Sequence, residues 1–347
     1  MKKFITVFGL LAVSALALTG CGKSKETLKI YNAGEYIDTS LISKFEKENK
    51  CKVVYETFDS NETMYTKIMS GENYDVLVPS DYMIERLIKE DKLEKIDWDK
   101  ITNKDNLNPD TLGQAYDPNQ EYAVPYFYGT VGILYDTTVV DEKDLADGWN
   151  LLNNTKYKDN IYMYDSERDS FMIALKALGY SMNTTNESEI EEAYQWLIDQ
   201  RDTMEPIYAG DDVIDNMISG NKAMAVVYSG DGAYIMSENE KLDFFEPEEG
   251  TNTWYDAMVI MKGTKHSELA HKFINFMLDN DNAAANSAEV GYTSPVTKAY
   301  EQMKSEDYKG IDAYAPNTGN EKNEVFRYQD TEIKQYFADL WTKVKAY

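Results

Sequence analysis

The stretch LKIYNAGEYIDTSLISKFEKENKCKVVYETFDSNETMYTKIMSGENYDVLVPSDYMIERLIKE, residues 28–90, decides the fold class. Three short apolar runs, 28–31, 53–58 and 74–78, alternate with three stretches at helical spacing, 39–50, 61–69 and 82–90. Ser40 is the candidate cap of the first helix, and Ser80 or Asp81 of the third. Gly71 stops the second helix, and Pro79 ends the third strand. Strand and helix alternating three times predict an α/β fold, with a mainly parallel sheet and helices on both faces. Ligands of such sheets bind beyond the carboxyl ends of the strands. The loops there are 32–36 and 79–82.

Further along, residues 122–135 read as one long strand rich in aromatics. Strands at 161–164 and 224–228, with helices at 170–179, 190–201 and 213–220, make a second α/β unit. A strand at 254–261, a helix at 268–278 and an amphipathic helix at 332–346 follow, with no repeat of fixed period. Upstream, Lys2 and Lys3 precede an uncharged apolar run, 4–18, too short to span a bilayer comfortably, as in an export signal. The run ends in Leu18-Thr19-Gly20-Cys21, which resembles the bacterial lipobox, where cleavage precedes the cysteine and its thiol receives a diacylglyceryl group. The plain alternative is a secretory signal with a chance cysteine. Small residues before Cys21 and the polar linker 22–26 favour the lipobox. The expectation is a chain held at the extracytoplasmic face of the cell membrane by acyl chains on Cys21, and by nothing else.

The 347 residues carry 61 acids against 35 Lys and Arg, a net charge of −26. Loss of the signal removes Lys2 and Lys3 and no acid, which takes the charge to −28. Nucleic acid is excluded as a partner, because it needs basic surface. An acidic field draws in cations, although most of these acids serve only to keep the chain in water. The 27 tyrosines suit a site apolar on its walls and polar at its tips. With Cys21 lipidated, Cys51 has no disulfide partner and reads as a small buried hydrophobe. The two histidines, His266 and His271, do not share a helix face, and no Cys/His metal spacing exists. No nucleophile elbow, P-loop or dinucleotide fingerprint is present. Asp279-Asn280-Asp281-Asn282 lacks the glycine and glutamate of a calcium loop and reads as a helix cap. We therefore expect no catalytic residue, cofactor or metal. The length calls for two domains rather than one core.

Several segments resemble the spermidine/putrescine-binding proteins of ABC transporters. They are Asn32-Ala33-Gly34-Glu35-Tyr36-Ile37-Asp38, Ser60-Asn61-Glu62-Thr63-Met64-Tyr65, Val78-Pro79-Ser80-Asp81-Tyr82, Pro125-Tyr126-Phe127-Tyr128-Gly129, Leu178-Gly179-Tyr180-Ser181-Met182-Asn183-Thr184-Thr185, Trp254-Tyr255-Asp256 and Gly291-Tyr292-Thr293-Ser294-Pro295. They run in order through almost the whole chain. The resemblance implies a two-lobed, periplasmic-binding-protein-like fold (type II), with the ligand between lobes joined by crossing strands near 132–135, 254–257 and 301–304. Lobe 1 would comprise 27–132 and 257–301, and lobe 2 would comprise 135–254 and 304–347. It further implies a monomer that captures putrescine or spermidine and hands it to an ABC permease.

That ligand class makes chemical sense of the residues. Each ammonium needs a carboxylate or hydroxyl acceptor in a closed cleft, and the methylenes need aromatic walls whose faces also attract cations. The resemblance carries Tyr36, Ser80, Tyr82, Tyr228, Trp254 and Tyr292 onto the aromatic and hydroxyl positions of the family site. Asp169 and Asp256 fall on its carboxylates, Gln329 on an amide, and Glu35 on a further acid. Asp169 and Ser80 also suit helix caps, and Tyr126 and Tyr128 suit either wall or core. Three positions depart from the family: Ala33 and Tyr228 replace tryptophans, and Ser166 replaces an acid. Asp81, Asp165 and Glu167 are the candidates to restore that charge. Another solute, such as ferric iron, a sugar or a quaternary amine, is the alternative cargo.

Overall fold

The structure is a computed structural model that describes residues 25–346, so the expected export signal and the expected lipidation site, Cys21, lie outside the described residues. Strand β1 (Thr27–Ala33), helix α1 (Thr39–Asn49), strand β2 (Lys52–Phe58), helix α2 (Asn61–Met69), strand β3 (Val76–Leu77) and helix α3 (Asp81–Lys89) follow in the expected order. β1 pairs in parallel with both β2 and β3. α1 is capped by Asp38 rather than Ser40: the Asp38 carboxylate accepts the Ser40 N–H at 2.8 Å. Ser60 caps α2 through the Thr63 N–H at 3.1 Å. Ser80 precedes α3 but makes no side-chain cap bond. Its hydroxyl instead accepts from Asn61 Nδ2 at 3.0 Å, which joins the loop after β2 to the loop after β3.

The chain continues through β4 (Leu93–Glu94), β5 (Ala123–Asp136), β6 (Ile161–Tyr164), α4 (Glu167–Ala177), α5 (Glu187–Met204), β7 (Ile207–Ala209), α6 (Asp212–Ile218), β8 (Met224–Tyr228), α7 (Ser229–Glu238), β9 (Leu242–Phe245) and β10 (Thr253–Met261). Helices α8 (Ser267–Met277), α9 (Asn280–Val290), α10 (Thr297–Ser305) and α11 (Thr331–Lys345) complete it. Asp279 caps α9, as the Asp-Asn-Asp-Asn run suggested.

The strands run in the order β2-β1-β3-β10-β5-β8-β6-β7. The outer pairs are parallel, whereas β10 and β5 are antiparallel to their neighbours. β5 is buried along all but its last residue, and it serves both lobes. Its first part pairs with β10 as far as Thr130, and from Val131 onward it pairs with β8 and β9. Consecutive strand residues enter opposite cores, as the pleat requires. Ile30 packs in one cluster and Tyr31 in another, and in the second lobe Val226 and Val227 divide the same way. Helices therefore cover both faces of the sheet in each lobe. Cys51 is buried and unpaired.

Candidate functional site

A cleft of about 950 Å³ opens where the strands of both lobes end. Its walls come from the loops after β1, β2, β3 and β8, the first turn of α4, the start of β10, and Tyr292 after α9. This is the crevice beyond the strand ends that a doubly wound sheet leaves open. Nine carboxylates line it, against two cations, Arg168 and Lys334.

Asp256 sits on β10 at a shift in register with β5, between Asp256 and Ala257. Such a bulge re-aims a side chain, and Asp256 lines the cleft. The Tyr36 hydroxyl donates to its Oδ2 at 2.6 Å. Burial lifts the Asp256 carboxyl above the usual carboxylate range, while hydrogen bonds from Tyr36 and Ser80 pull the other way. Tyr36 is held in turn through its carbonyl, which accepts from Tyr126 Oη at 2.6 Å. Trp254, two residues before Asp256, donates from Nε1 to the Thr130 carbonyl at 3.2 Å. A Cβ on Gly129 would stand 2.6 Å from that indole, so the ring position depends on the glycine. The rings form one wall: Tyr36 to Tyr292 at 5.6 Å, Tyr292 to Trp254 at 5.3 Å, and Trp254 to Tyr228 at 6.0 Å between centroids.

The second lobe contributes two further carboxylates. Asp169 accepts from Tyr228 Oη at 2.9 Å. It is not the cap of α4; Ser166 is, accepting the Asp169 N–H at 3.3 Å. Burial raises the Asp169 carboxyl too, against the bonds from Ser166 and Tyr228. Asp231 accepts from Tyr292 Oη at 2.9 Å, with Tyr164 Oη at 3.5 Å. Burial pushes it up to about 7; the Tyr292 and Tyr164 hydroxyls oppose the rise and Asp211 adds to it.

The other sequence candidates take varied places. Asp81 lines the cleft, but its oxygens accept the Tyr82 and Tyr255 N–H groups at 2.6 and 3.1 Å, and burial pushes it up to about 8. It ties α3 to β10 rather than facing a ligand freely. Tyr82 lines the cleft with one face covered: the Arg168 guanidinium lies 3.3 Å from its ring centroid. Glu35 is exposed at the rim with a left-handed φ of 50°. Glu167 lines the cleft, whereas Asp165 points outward to Lys345 at 2.8 Å. Gln329 is half-buried outside the lining, where Phe326 and Lys334 stand instead. Tyr126 and Tyr128 belong to the core.

The sequence reading did not single out Asp231, Arg168, Asn252 or Lys334. For Asp231 a signal existed, since Ser229-Gly230-Asp231-Gly232 immediately follows a strand end. Among the described residues no group of three His, Cys, Asp or Glu side chains is placed to hold a metal, and no helix is long and apolar enough to cross a membrane.

Comparison with known proteins places this architecture. The spermidine/putrescine-binding periplasmic protein of Salmonella typhimurium is 35% identical over 97% of this chain and 97% of its own. The spermidine/putrescine substrate-binding protein PotD of Streptococcus pneumoniae, solved with calcium and HEPES, superposes with a TM-score of 0.81 at 37% identity, covering 92% of this chain and 99% of that one. A putative spermidine/putrescine ABC transporter protein of Listeria monocytogenes gives 0.83 at 39% identity, covering 93% and 100%. The two-lobed type II fold expected from the sequence is thus the fold observed. A profile described as bacterial extracellular solute-binding protein matches residues 40–314, and the chain belongs to that family.

Proposed function

We propose that this protein captures a polyamine outside the cytoplasm and delivers it to an ABC importer. The observation that carries the reading is the cleft itself: nine carboxylates around a wall of Tyr36, Tyr292, Trp254 and Tyr228. Asp256 and Asp231, two buried acids lifted above their usual range, form no salt bridge among the described residues, and an ammonium supplies the missing cation. The rings cover the methylenes between ammonium groups. Relatives named for spermidine, putrescine and cadaverine support the class.

Within that class a diamine is favoured over a triamine. Arg168 and Lys334 each approach Glu62 at 3.7 Å, and Arg168 covers Tyr82, so the chain's own cations take up part of the acidic and aromatic lining. Ser166 is spent on capping α4. A third ammonium would meet repulsion and fewer acceptors. A second reading rests on Arg168 Nη1, which is buried without a hydrogen-bond partner. A ligand carrying a carboxylate beside its ammonium would use that donor. Titration of putrescine, cadaverine, spermidine and an ω-amino acid at one salt concentration tests both. Putrescine should bind at least as tightly as spermidine. A tenfold spermidine preference, about 1.4 kcal/mol, would refute the diamine preference, and stabilisation by none of the amines would refute the reading itself.

The lobe division at 132–135, 254–257 and 301–304 is supported by β5, which changes partners between Thr130 and Val131, and by Met303, which packs with the second-lobe cluster of Tyr308 and Tyr314. Closure of the lobes on the ligand gives the importer a shape that distinguishes loaded from empty protein. Cys21 anchors the chain through its acyl groups. Cys21→Ser should abolish acyl labelling, and label persisting on that variant would overturn the anchor.

A further inference from the structure

Helix α9 buries polar side chains where a helix that only packed would bury apolar ones. Asn282, Asn286 and Ser287 are each 3% exposed or less. A polar group in such a place costs stability unless it is bonded. Asn282 secures the start of the helix, donating to the Phe276 carbonyl at 2.8 Å and accepting from Lys44 Nζ at 2.6 Å. Asn286 and Ser287 reach elsewhere, towards two tyrosines of the cleft.

The Asp38 N–H can only donate, so the Asn286 atom 2.9 Å from it is the acceptor Oδ1, and Nδ2 is left for Tyr126. Nδ2 donates to Tyr126 Oη at 3.0 Å, and Tyr126 passes its own proton to the Tyr36 carbonyl at 2.6 Å. The Tyr36 hydroxyl donates in turn to Asp256 at 2.6 Å. A directed chain of hydrogen bonds thus runs from Asn286 through Tyr126 and Tyr36 to Asp256. Asn286 and Tyr126 stand outside the cleft lining and are no more than 5% exposed, so they reach a ligand only through Tyr36. Because Asn286 also holds Asp38, the backbone of Tyr36 is fixed at its own carbonyl and two residues on. Ser287 does the same service for Tyr292. Its hydroxyl donates to the Tyr292 carbonyl at 2.5 Å and accepts from Tyr314 Oη at 2.7 Å. Tyr36 and Tyr292 meet edge to face at 5.6 Å, so adjacent positions of one helix brace both rings.

We propose that Asn286 is a positioning residue of the ligand site: through Tyr126 it sets where the Tyr36 hydroxyl meets Asp256, and so how tightly that carboxylate holds the first ammonium of the ligand. This rests on the amine-binding reading of the cleft and adds to it a residue that touches no ligand. The bond from Tyr36 favours the anion of Asp256, the form that an ammonium requires. A Tyr36 free to drift would lose that bond or turn its hydroxyl onto the oxygen that faces the ammonium.

The test is calorimetry of putrescine with the wild type, Tyr126→Phe, Asn286→Ala and Tyr36→Phe, and with each of the first two variants combined with Tyr36→Phe. Tyr126→Phe keeps the ring and removes only the proton that holds the Tyr36 carbonyl. It should weaken putrescine about tenfold, and Asn286→Ala should do likewise. In the Tyr36→Phe background there is no hydroxyl to position, and each change should cost less than about threefold. Thermal melts verify folding, and if Asn286→Ala does not fold, Tyr126→Phe carries the test. Equal losses with and without the Tyr36 hydroxyl would mean general loosening and overturn the role. Putrescine affinity within about twofold of wild type in Tyr126→Phe would overturn it too. Both results leave the amine site standing, whereas a wild type that binds no amine removes the site reading and this inference with it.

Discussion

Replacing Asp256 by asparagine keeps the side chain's shape and removes its charge. Asp256 is half-buried, accepts from Tyr36 at 2.6 Å, and is raised by burial above the usual carboxylate range. The folded state therefore gains little from the charge itself. The asparagine Oδ1 still accepts the Tyr36 hydroxyl, so a neutral hydrogen bond replaces a charged one, a difference of about 1 kcal/mol that relief from charge burial offsets. Ligand binding has no such compensation. A buried ammonium left without its anion costs about 2–4 kcal/mol, which is about 30- to 700-fold in Kd. Calorimetry with putrescine gives the affinity, and a melt of the ligand-free variant checks the fold. A native melt together with an affinity within about threefold of wild type would refute Asp256 as the anchor of the first ammonium.

Gly230→Ala should lose binding and stability together, because the new methyl group meets the Tyr292 ring; overpacking of this kind costs about 1–3 kcal/mol, and an unaltered melt would show that Tyr292 has room to move. Trp254→Ala should weaken binding through loss of the wall between Tyr292 and Tyr228, and wild-type affinity in that variant would take Trp254 out of the site. Asp81 and Asp231 are raised from 3.8 to about 8 and about 7, so the folded state holds more protons than the unfolded chain in this interval. Their contribution to stability is present at pH below about 4 and is lost as pH rises through about 7–8. Melts of the ligand-free protein should accordingly fall between pH 5.5 and 8.5, with a shallower fall in Asp231→Asn; stability rising over that range would contradict the burial of these acids. Small-angle scattering should show contraction when saturating putrescine is added, and an identical profile at proven saturation would argue against closure of the lobes.

Much of the fold is legible in local pattern. The apolar run 161–164 is the strand Ile161–Tyr164, and the helices at 39–50, 61–69 and 268–278 lie within a residue or so of those observed, because periodicity and capping act over a few neighbours. Where tertiary packing outweighs propensity, the pattern is silent. Helix α7 begins Ser229-Gly230-Asp231-Gly232, a poor helical start by propensity. It forms because Gly230 lies against Tyr292 and Gly232 against Phe244, contacts with residues distant in sequence. β9, at Leu242–Phe245, is too short to announce itself and exists by pairing with β5.

The site divides along the same line. Its chemistry, acids and tyrosines in an acidic chain, is written in composition and in the loops at strand ends, and ten of the eleven ligand-binding candidates, all but Gln329, line the cleft. Which groups join is another matter. Tyr36 reaches Asp256 across 220 positions, Tyr292 reaches Asp231 across 61, and Arg168 lies over Tyr82 from the other lobe. Nothing local encodes these pairs, since each joins residues from separate strand ends. The path of the chain through a shared sheet makes them neighbours, and burial in the cleft turns ordinary carboxyls into acceptors in want of a cation.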